Sequence, residues 1–410
     1  MARNYKPRRF ANVGLLRKMD FPLLLQLLEP YRLYFEEHSE FLWSTEPDQF
    51  RFDVLAEMML NLDMTIPKEL LESLYYIETL ADNEYFDALL AASQKQGFMQ
   101  EDDDPAVEDL ALWLRLECPE AVEQLHADIY RNTSKQRAKR FESYFPSNGV
   151  IKPILKPDKD TLAQMQADLN DWSRNHRRGI GMRIFVTYDE NAVWFMIRHG
   201  QPMKRENTVE ADGADGMVFY RPEKFDILIY YPESGELAIG VRTKSARVAY
   251  SRIIGKYMFD DPYYFNVEGC LKYTLDPIFE SGAASLSCRD IPEIQQVSLR
   301  ELRIDFPDKR LCSEVLKGND VMSELIDERR ENIRDRHGFP VRAKFQVVYT
   351  DGRERMVTIE PPNIALYDHE TDHEAIQLWL AERGFTINDT NTIIQGVFHN
   401  DEDEQFLAVA

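Results

Sequence analysis

The chain has 410 residues, with 71 acidic against 49 basic side chains and a formal net charge of −22 at pH 7. Its hydrophobic fraction of 44%, with 23 Phe and 19 Tyr, can bury a core and excludes an intrinsically disordered protein. No run approaches the ~18 apolar residues of a membrane span, and four cysteines without a Cys-x-x-Cys pair predict no disulfide framework. We therefore expect a cytoplasmic protein of at least two domains that does not contact a membrane.

Residues 1–145 are predicted to form a helical domain that begins with a basic arm. Apolar residues recur there at spacings of three and four, the helical period. Asp20 and Pro22 supply a cap and a first turn before a leucine-rich stretch, and Pro67 opens another stretch with Leu70 and Leu74 on one face. The pattern favours a bundle-like set of helices.

Residues 146–180 are predicted to form a proline-rich linker and a polar helix over 161–176. The hydrophobic period then changes to two, and turn residues separate paired apolar runs. These runs predict β-hairpins over residues 183–198, 225–243 and 343–360. Residues 181–340 are expected to form a mixed hairpin domain, and residues 341–410 a hairpin, a helix and an acidic tail.

Hairpins in series favour an α+β fold with a mostly antiparallel sheet and flanking helices over a doubly wound sheet. The chain contains neither a glycine-rich dinucleotide motif nor a phosphate loop. These observations argue against a Rossmann dehydrogenase and against a nucleotide-driven motor.

Two basic segments interrupt the acidic chain. Residues 1–18 hold six basic residues and no acidic one, and residues 129–180 hold eleven basic residues against five acidic ones. Such segments bind an acidic partner or phosphate groups, or they pair with the chain's own acidic surface. The candidate binding residues are Arg3, Lys6, Arg8, Arg9, Lys135, Arg137, Lys139, Arg140, Arg177 and Arg178. Phe141, Tyr144 and Phe145 are candidates for stacking on a base.

The hairpin from Lys224 to Lys244 holds a first candidate catalytic set, Asp226, Glu236, Arg242 and Lys244. It resembles the core hairpin of PD-(D/E)XK nucleases, in which two carboxylates hold Mg²⁺ and a lysine stabilises charge near the phosphate. Arg242 stands where that family has its glutamate, and a cation there repels a metal ion. The resemblance therefore implies either a degenerate nuclease fold or an active enzyme that recruits Glu233 or Glu236 from the turn.

The segment from His369 to His373 is a literal H-E-x-x-H, the zinc-binding pattern of hydrolases, with Glu370 in the base position. That chemistry needs the whole segment inside a helix. Here Asp372 has the character of a helix cap, so we expect an exposed helix start and no metal, with His369 and His373 as the metal ligands of the alternative.

The sequence Arg198-His199-Gly200 follows an apolar strand, as in histidine phosphatases, where the histidine is the nucleophile. A phosphatase is a further alternative. The predicted hairpin return differs from the parallel strand-to-helix start of that family.

Longer runs, from Trp194 to Gly200, from Phe219 to Lys224 and from Phe141 to Phe145, resemble an uncharacterised bacterial protein family. Families of this build often belong to multi-gene conflict or phage-defence loci. The resemblance itself carries no activity. The two basic segments and the lack of an intact catalytic set lead us to expect a non-catalytic subunit or adaptor of an intracellular multi-protein system, such as an antiviral one, that binds a partner protein from the same locus or nucleic acid, with no cofactor. The alternatives are the Mg²⁺-dependent nuclease and the zinc hydrolase.

Overall fold

The computed structural model describes residues 7–38, 43–62, 65–98, 105–134, 140–176, 179–209, 213–307, 312–325, 331, 333 and 336–387. The chain forms two compact units. The helical unit comprises Met1–Asn132 and Met203–Tyr220, and the sheet unit comprises Thr133–Pro202 and Arg221–Ala410.

The helical unit confirms the helices expected near the N-terminus. Its helices are α1 (Val13–Leu16), α2 (Phe21–Leu28), α3 (Arg32–His38), α4 (Phe52–Leu60), α5 (Lys68–Leu80), α6 (Phe86–Lys95), α7 (Val107–Glu117) and α8 (Pro119–Ser134). The Asp20 side chain accepts a hydrogen bond of 3.0 Å from the Leu23 amide and caps α2 as predicted. Leu70 and Leu74 are buried on one face of α5, which the apolar spacing required.

The strands of the described residues lie between residues 140 and 366. They are β1 (Arg140–Tyr144), β2 (Arg183–Tyr188), β3 (Val193–Gly200), β4 (Lys204–Val209), β5 (Asp215–Tyr220), β6 (Glu223–Tyr231), β7 (Glu236–Ile239), β8 (Ile294–Asp305), β9 (Ser313–Lys317), β10 (Phe339–Tyr349), β11 (Glu354–Glu360) and β12 (Ile364–Leu366). The helices of the sheet unit are α9 (Lys159–Asn175), α10 (Lys244–Phe259), α11 (Asp276–Glu280), α12 (Val321–Glu324) and α13 (His373–Glu382).

Ten strands form one sheet in the order β2-β3-β6-β7-β1-β12-β11-β10-β8-β9, and each neighbouring pair is antiparallel. The fold is therefore α+β, as predicted. The three predicted hairpins are β2–β3, β6–β7 and β10–β11. Strands β4 and β5 pair with each other in a separate ribbon that groups with the helical unit.

The position of strand β1 in the sheet differs from the four-part division of the chain expected from the sequence. Glu142 pairs with Ile239 of β7 on one side and with Ile364 of β12 on the other. One sheet thus joins residues 140–144, assigned to the helical domain, with strands from the expected domains 181–340 and 341–410. The reason is non-local strand pairing, which carries no local signal.

Two apolar cores lie in the sheet unit. Phe195 and Leu228 belong to the first, together with Tyr250 of α10. Phe345 of β10 packs edge-on against Trp379 of α13 in the second. Among the residues that the structure describes, none of the helices combines the length and the apolar character needed to cross a lipid bilayer.

Candidate functional site

A cleft opens in the sheet unit where β3 ends, β6 begins and β7 leads into α10. Antiparallel pairing sets His199 opposite Lys224, and a hydrogen bond of 2.9 Å from the Gly240 amide to the Ile227 carbonyl extends the β6–β7 pairing. The cleft has a volume of about 400 Å³. Its lining includes His199, Gln201, Lys224, Asp226, Arg242 and Thr243.

The Asp226 carboxylate lies at the base of this cleft and is 1% exposed. Its Oδ1 accepts a hydrogen bond of 2.7 Å from Lys224 Nζ, and its Oδ2 lies 2.9 Å from His199 Nε2 and 3.0 Å from the Tyr250 hydroxyl. Burial raises the pKa of Asp226, but hydrogen bonds and charge from His199 and Lys224 outweigh burial, so the net pKa is lowered. The carboxylate is therefore ionised and already bonded through both oxygens.

His199 directs both ring nitrogens at acceptors of its own unit. Nε2 faces Asp226, and Nδ1 lies 3.1 Å from the Gly200 carbonyl oxygen. A nucleophilic histidine needs one nitrogen aimed at the reacting phosphorus. Strand β3 is also antiparallel to both of its neighbours. This geometry disfavours the phosphatase alternative.

The four residues of the nuclease alternative do not converge. Glu236 pairs with Tyr231, five residues along β6 from Asp226, which separates the two carboxylates by roughly 17 Å. Arg242 lines the cleft, and Lys244 is exposed at the first position of α10. The described residues contain no group of three or more His, Cys, Asp or Glu side chains that could hold a metal ion.

The start of α10 forms one edge of the cleft. The helix begins at Lys244 with Thr243 at the N-cap. The Arg247 guanidinium donates hydrogen bonds to the carbonyls of Val241 (3.2 Å) and Arg242 (2.6 Å), which fixes the backbone at this edge. Because α10 begins at this edge, the partial positive charge of its N-terminus adds to the charge of the Arg242 side chain.

The charge of the cleft follows from these contacts. Lys224 and Arg242 contribute two positive charges and Asp226, the one lining carboxylate, a negative one, so these three side chains leave one positive charge. A divalent cation would meet this excess positive charge and a carboxylate whose two oxygens already accept hydrogen bonds. An anion would meet the Arg242 guanidinium and a helix N-terminus, so the cleft suits an anionic group.

The H-E-x-x-H segment straddles a helix start. Helix α13 begins at His373 with Asp372 at its N-cap, so His369 and Glu370 precede the helix. The two histidines are thus not one turn apart on a single helix, as the zinc motif requires. The predicted helix start is confirmed, but its predicted exposure is wrong for His369, which is buried.

Two tyrosines hold these histidines. His369 Nδ1 lies 3.0 Å from the Tyr231 hydroxyl, and His373 Nδ1 lies 3.1 Å from the Tyr367 hydroxyl. The His373 ring also stacks on Tyr231 with centroids 4.0 Å apart. Burial lowers the pKa of His373 to about 4 and the pKa of His369 well below its usual value. Both rings are therefore neutral members of a buried network.

A buried ion pair that the sequence analysis missed lies beside them. Lys272 Nζ is 2.7 Å from Glu236 Oε2, and Ser143 Oγ donates a hydrogen bond of 2.5 Å to Glu236 Oε1. Burial raises the pKa of Glu236, but the neighbouring charges and hydrogen bonds, above all the Lys272 charge, outweigh burial. The net pKa is therefore lowered, and Glu236 is ionised. Lone charges between apolar neighbours, such as Lys272 between Leu271 and Tyr273, are the signal that could have found this pair.

Two of the predicted basic binding residues pair within the chain. Arg9 lies 3.5 Å from Glu78 and 3.4 Å from Glu108, and Arg140 lies 3.5 Å from Glu360. Arg8 is exposed. The other candidates lie outside the described residues: Arg3, Lys6, Lys135, Arg137, Lys139, Arg177 and Arg178.

The predicted base-stacking role of Phe141 and Tyr144 is wrong. Both side chains are 2% exposed because they lie in β1, in the interior of the sheet.

No protein-family model matches the chain, and no curated protein matches it with significant sequence similarity.

Proposed function

We propose that the protein is a non-catalytic subunit that binds nucleic acid, with a backbone phosphate held in the cleft between β3, β6 and the start of α10. The observation that carries the proposal is Arg242 next to the N-terminus of α10, beside an Asp226–Lys224 pair whose charges offset each other. Phosphates are the anions that basic side chains and helix N-termini bind together.

The hydrogen bonds that Asp226 accepts support the non-catalytic part of the proposal. Metal-dependent phosphodiester cleavage needs carboxylate oxygens that are available to a cation. Both oxygens of Asp226 accept hydrogen bonds from within the unit, and the strand end carries a guanidinium. A protein of this kind holds the ligand and leaves any reaction to a partner protein.

The size of the cleft supports a local contact. A volume of about 400 Å³ admits one phosphate with its adjoining sugar and excludes a whole duplex. The chain is acidic overall, so the favourable field must come from this limited basic surface. We therefore expect modest affinity and a shallow dependence on salt.

Fluorescence anisotropy of the full-length protein with labelled single-stranded and duplex oligonucleotides tests the proposal. Arg242→Glu should weaken binding by at least about tenfold at low salt, since it reverses a phosphate contact. Arg289→Glu is the matched control, because Arg289 is exposed in the turn before β8 and makes the same charge change away from the cleft. Equal losses in both variants, or no binding by the parent protein, would refute the proposal.

The same samples with Mg²⁺ or Mn²⁺ test the nuclease alternative. Cleavage that disappears in Asp226→Ala would replace the non-catalytic proposal by an enzymatic one. If the protein binds the oligonucleotides and they stay intact with both metals, the result supports the non-catalytic proposal.

A further inference from the structure

The ribbon formed by β4 and β5 exposes apolar side chains to solvent. Val209 is 75% exposed, and Met217 and Phe219 are each 57% exposed. Among the described strands, β4 and β5 pair only with each other. A ribbon of two strands is at best marginally stable by itself in water. Large apolar side chains exposed on such a ribbon therefore indicate a surface that contacts another molecule.

Antiparallel register sorts these side chains onto faces. Arg205 stands opposite Phe219, Asn207 opposite Met217, and Val209 opposite Asp215, all on one face. The opposite face carries Lys204 opposite Tyr220, whose hydroxyl donates a hydrogen bond of 2.7 Å to Glu206. Phe219 on the first face therefore has a basic cross-strand neighbour, whereas Tyr220 is tied to a carboxylate.

This alternation favours a nucleic acid over a protein partner. The buried centre of a protein–protein interface is depleted of charged residues. Here a guanidinium stands beside Phe219, and the acidic residue of that face among those described, Asp215, lies four residues away, roughly 13 Å along the strand. An aromatic ring beside a cation is the arrangement that stacks a base and neutralises its phosphate.

We propose that the β4–β5 ribbon binds single-stranded nucleic acid, with a base stacked on Phe219 and a phosphate contacted by Arg205. The inference rests on the proposed function and specifies its ligand as an unpaired strand. Bases of a duplex are stacked on one another and present no free face to Phe219. The cleft can contact a phosphate of a single strand or of a duplex, whereas the ribbon binds only the single strand.

The experiment compares labelled oligothymidine with a blunt duplex in anisotropy titrations of the full-length protein. Phe219→Ala should weaken oligothymidine binding about tenfold, since one stacked base contributes about that factor, and should leave duplex binding unchanged. Phe219→Trp should restore single-strand binding. Val209→Ala is the matched control, an exposed apolar truncation on the same face at the far end of the ribbon. Unfolding curves of these variants should coincide because both side chains are exposed.

Four outcomes separate the two proposals. Weak single-strand binding by Phe219→Ala together with normal binding by Arg242→Glu supports the ribbon and rejects the cleft. Normal binding by Phe219→Ala with loss in Arg242→Glu rejects the ribbon alone. No binding of either oligonucleotide by the parent protein rejects both. Loss of self-association in Phe219→Ala, with unchanged oligothymidine binding, identifies a protein-docking surface and also rejects the ribbon inference.

Discussion

The Lys272 ammonium nitrogen lies 2.7 Å from a carboxylate oxygen of Glu236, and both side chains are buried within the sheet unit. Burial lowers the pKa of Lys272, but the adjacent Glu236 carboxylate raises it more, so the lysine stays charged. Glu236 also accepts a hydrogen bond from the Ser143 hydroxyl. Strands β1 and β7 and the chain before α11 therefore meet at one point. Both charges are satisfied only when all three segments are in place.

Loss of one partner of this pair should be costly. Lys272→Met leaves Glu236 buried without its counter-ion, and we expect a loss of about 3–5 kcal/mol in the free energy of unfolding. Urea denaturation followed by circular dichroism measures it. Lys256→Met is the matched control, since Lys256 pairs with Asp168 at the surface and should lose at most about 1 kcal/mol. Similar losses in both variants would contradict the assignment of a buried pair.

Acid should destabilise the sheet unit through His373. Its pKa is about 4 in the folded chain, below the usual 6.5, because burial disfavours the charged ring. The unfolded chain therefore takes up the proton first, and stability present above pH 6.5 is lost as the pH falls toward 4. His373→Gln should show a shallower fall in the free energy of unfolding over this range. Parallel curves for the two proteins would show that His373 does not contribute.

Asp226→Asn should have opposite effects on stability and on binding. It weakens the bonds from Lys224, His199 and Tyr250, so we expect a loss of about 1–3 kcal/mol in stability. It also removes the negative charge from the cleft, so affinity for inorganic phosphate and oligonucleotides should rise several-fold. Thermal denaturation and anisotropy measure the two effects. A nuclease that used Asp226 as a metal ligand would lose metal-dependent binding in this variant instead.

Gly255 permits the close approach that ends α10. A Cβ at this position would lie 2.5 Å from the Asp261 carbonyl oxygen, which belongs to the backbone and cannot move aside. Gly255→Ala should therefore cost about 1–3 kcal/mol of stability. Gly318→Ala is the control, because its nearest contact would be 3.9 Å and the change should be close to neutral. Equal denaturation midpoints for the two variants would contradict this explanation.

The hairpins and the helices with strong local signals could be predicted from the sequence. The turn residues at 232–235 between two apolar runs predicted β6 and β7, and the helix expected after the third hairpin is α13. Propensity, turn residues and periodicity act within a few residues of one another, so they are visible in one sequence.

Long-range pairing could not be predicted. Strand β1 has five residues and follows a basic segment, so nothing near it indicates that β7 and β12 flank it. The cleft was only partly predicted: Asp226 and Arg242 were identified as candidates, whereas the approach of His199 Nε2 to within 2.9 Å of Asp226 depends on the β3–β6 register. Register brings together side chains that are 27 residues apart, and the sequence alone does not fix it.

The position of β1 has a consequence for synthesis of the protein. The Asn363 side-chain amide donates a hydrogen bond of 2.9 Å to the carbonyl of Ser143 in this strand, 220 residues earlier in the chain. During translation β12, one of the two strands that flank β1, is made about 220 residues after β1. Until then β1 has an unpaired edge, a surface that recruits other extended chains. Production of shortened chains that stop before β12 should therefore yield aggregates or chaperone-bound protein.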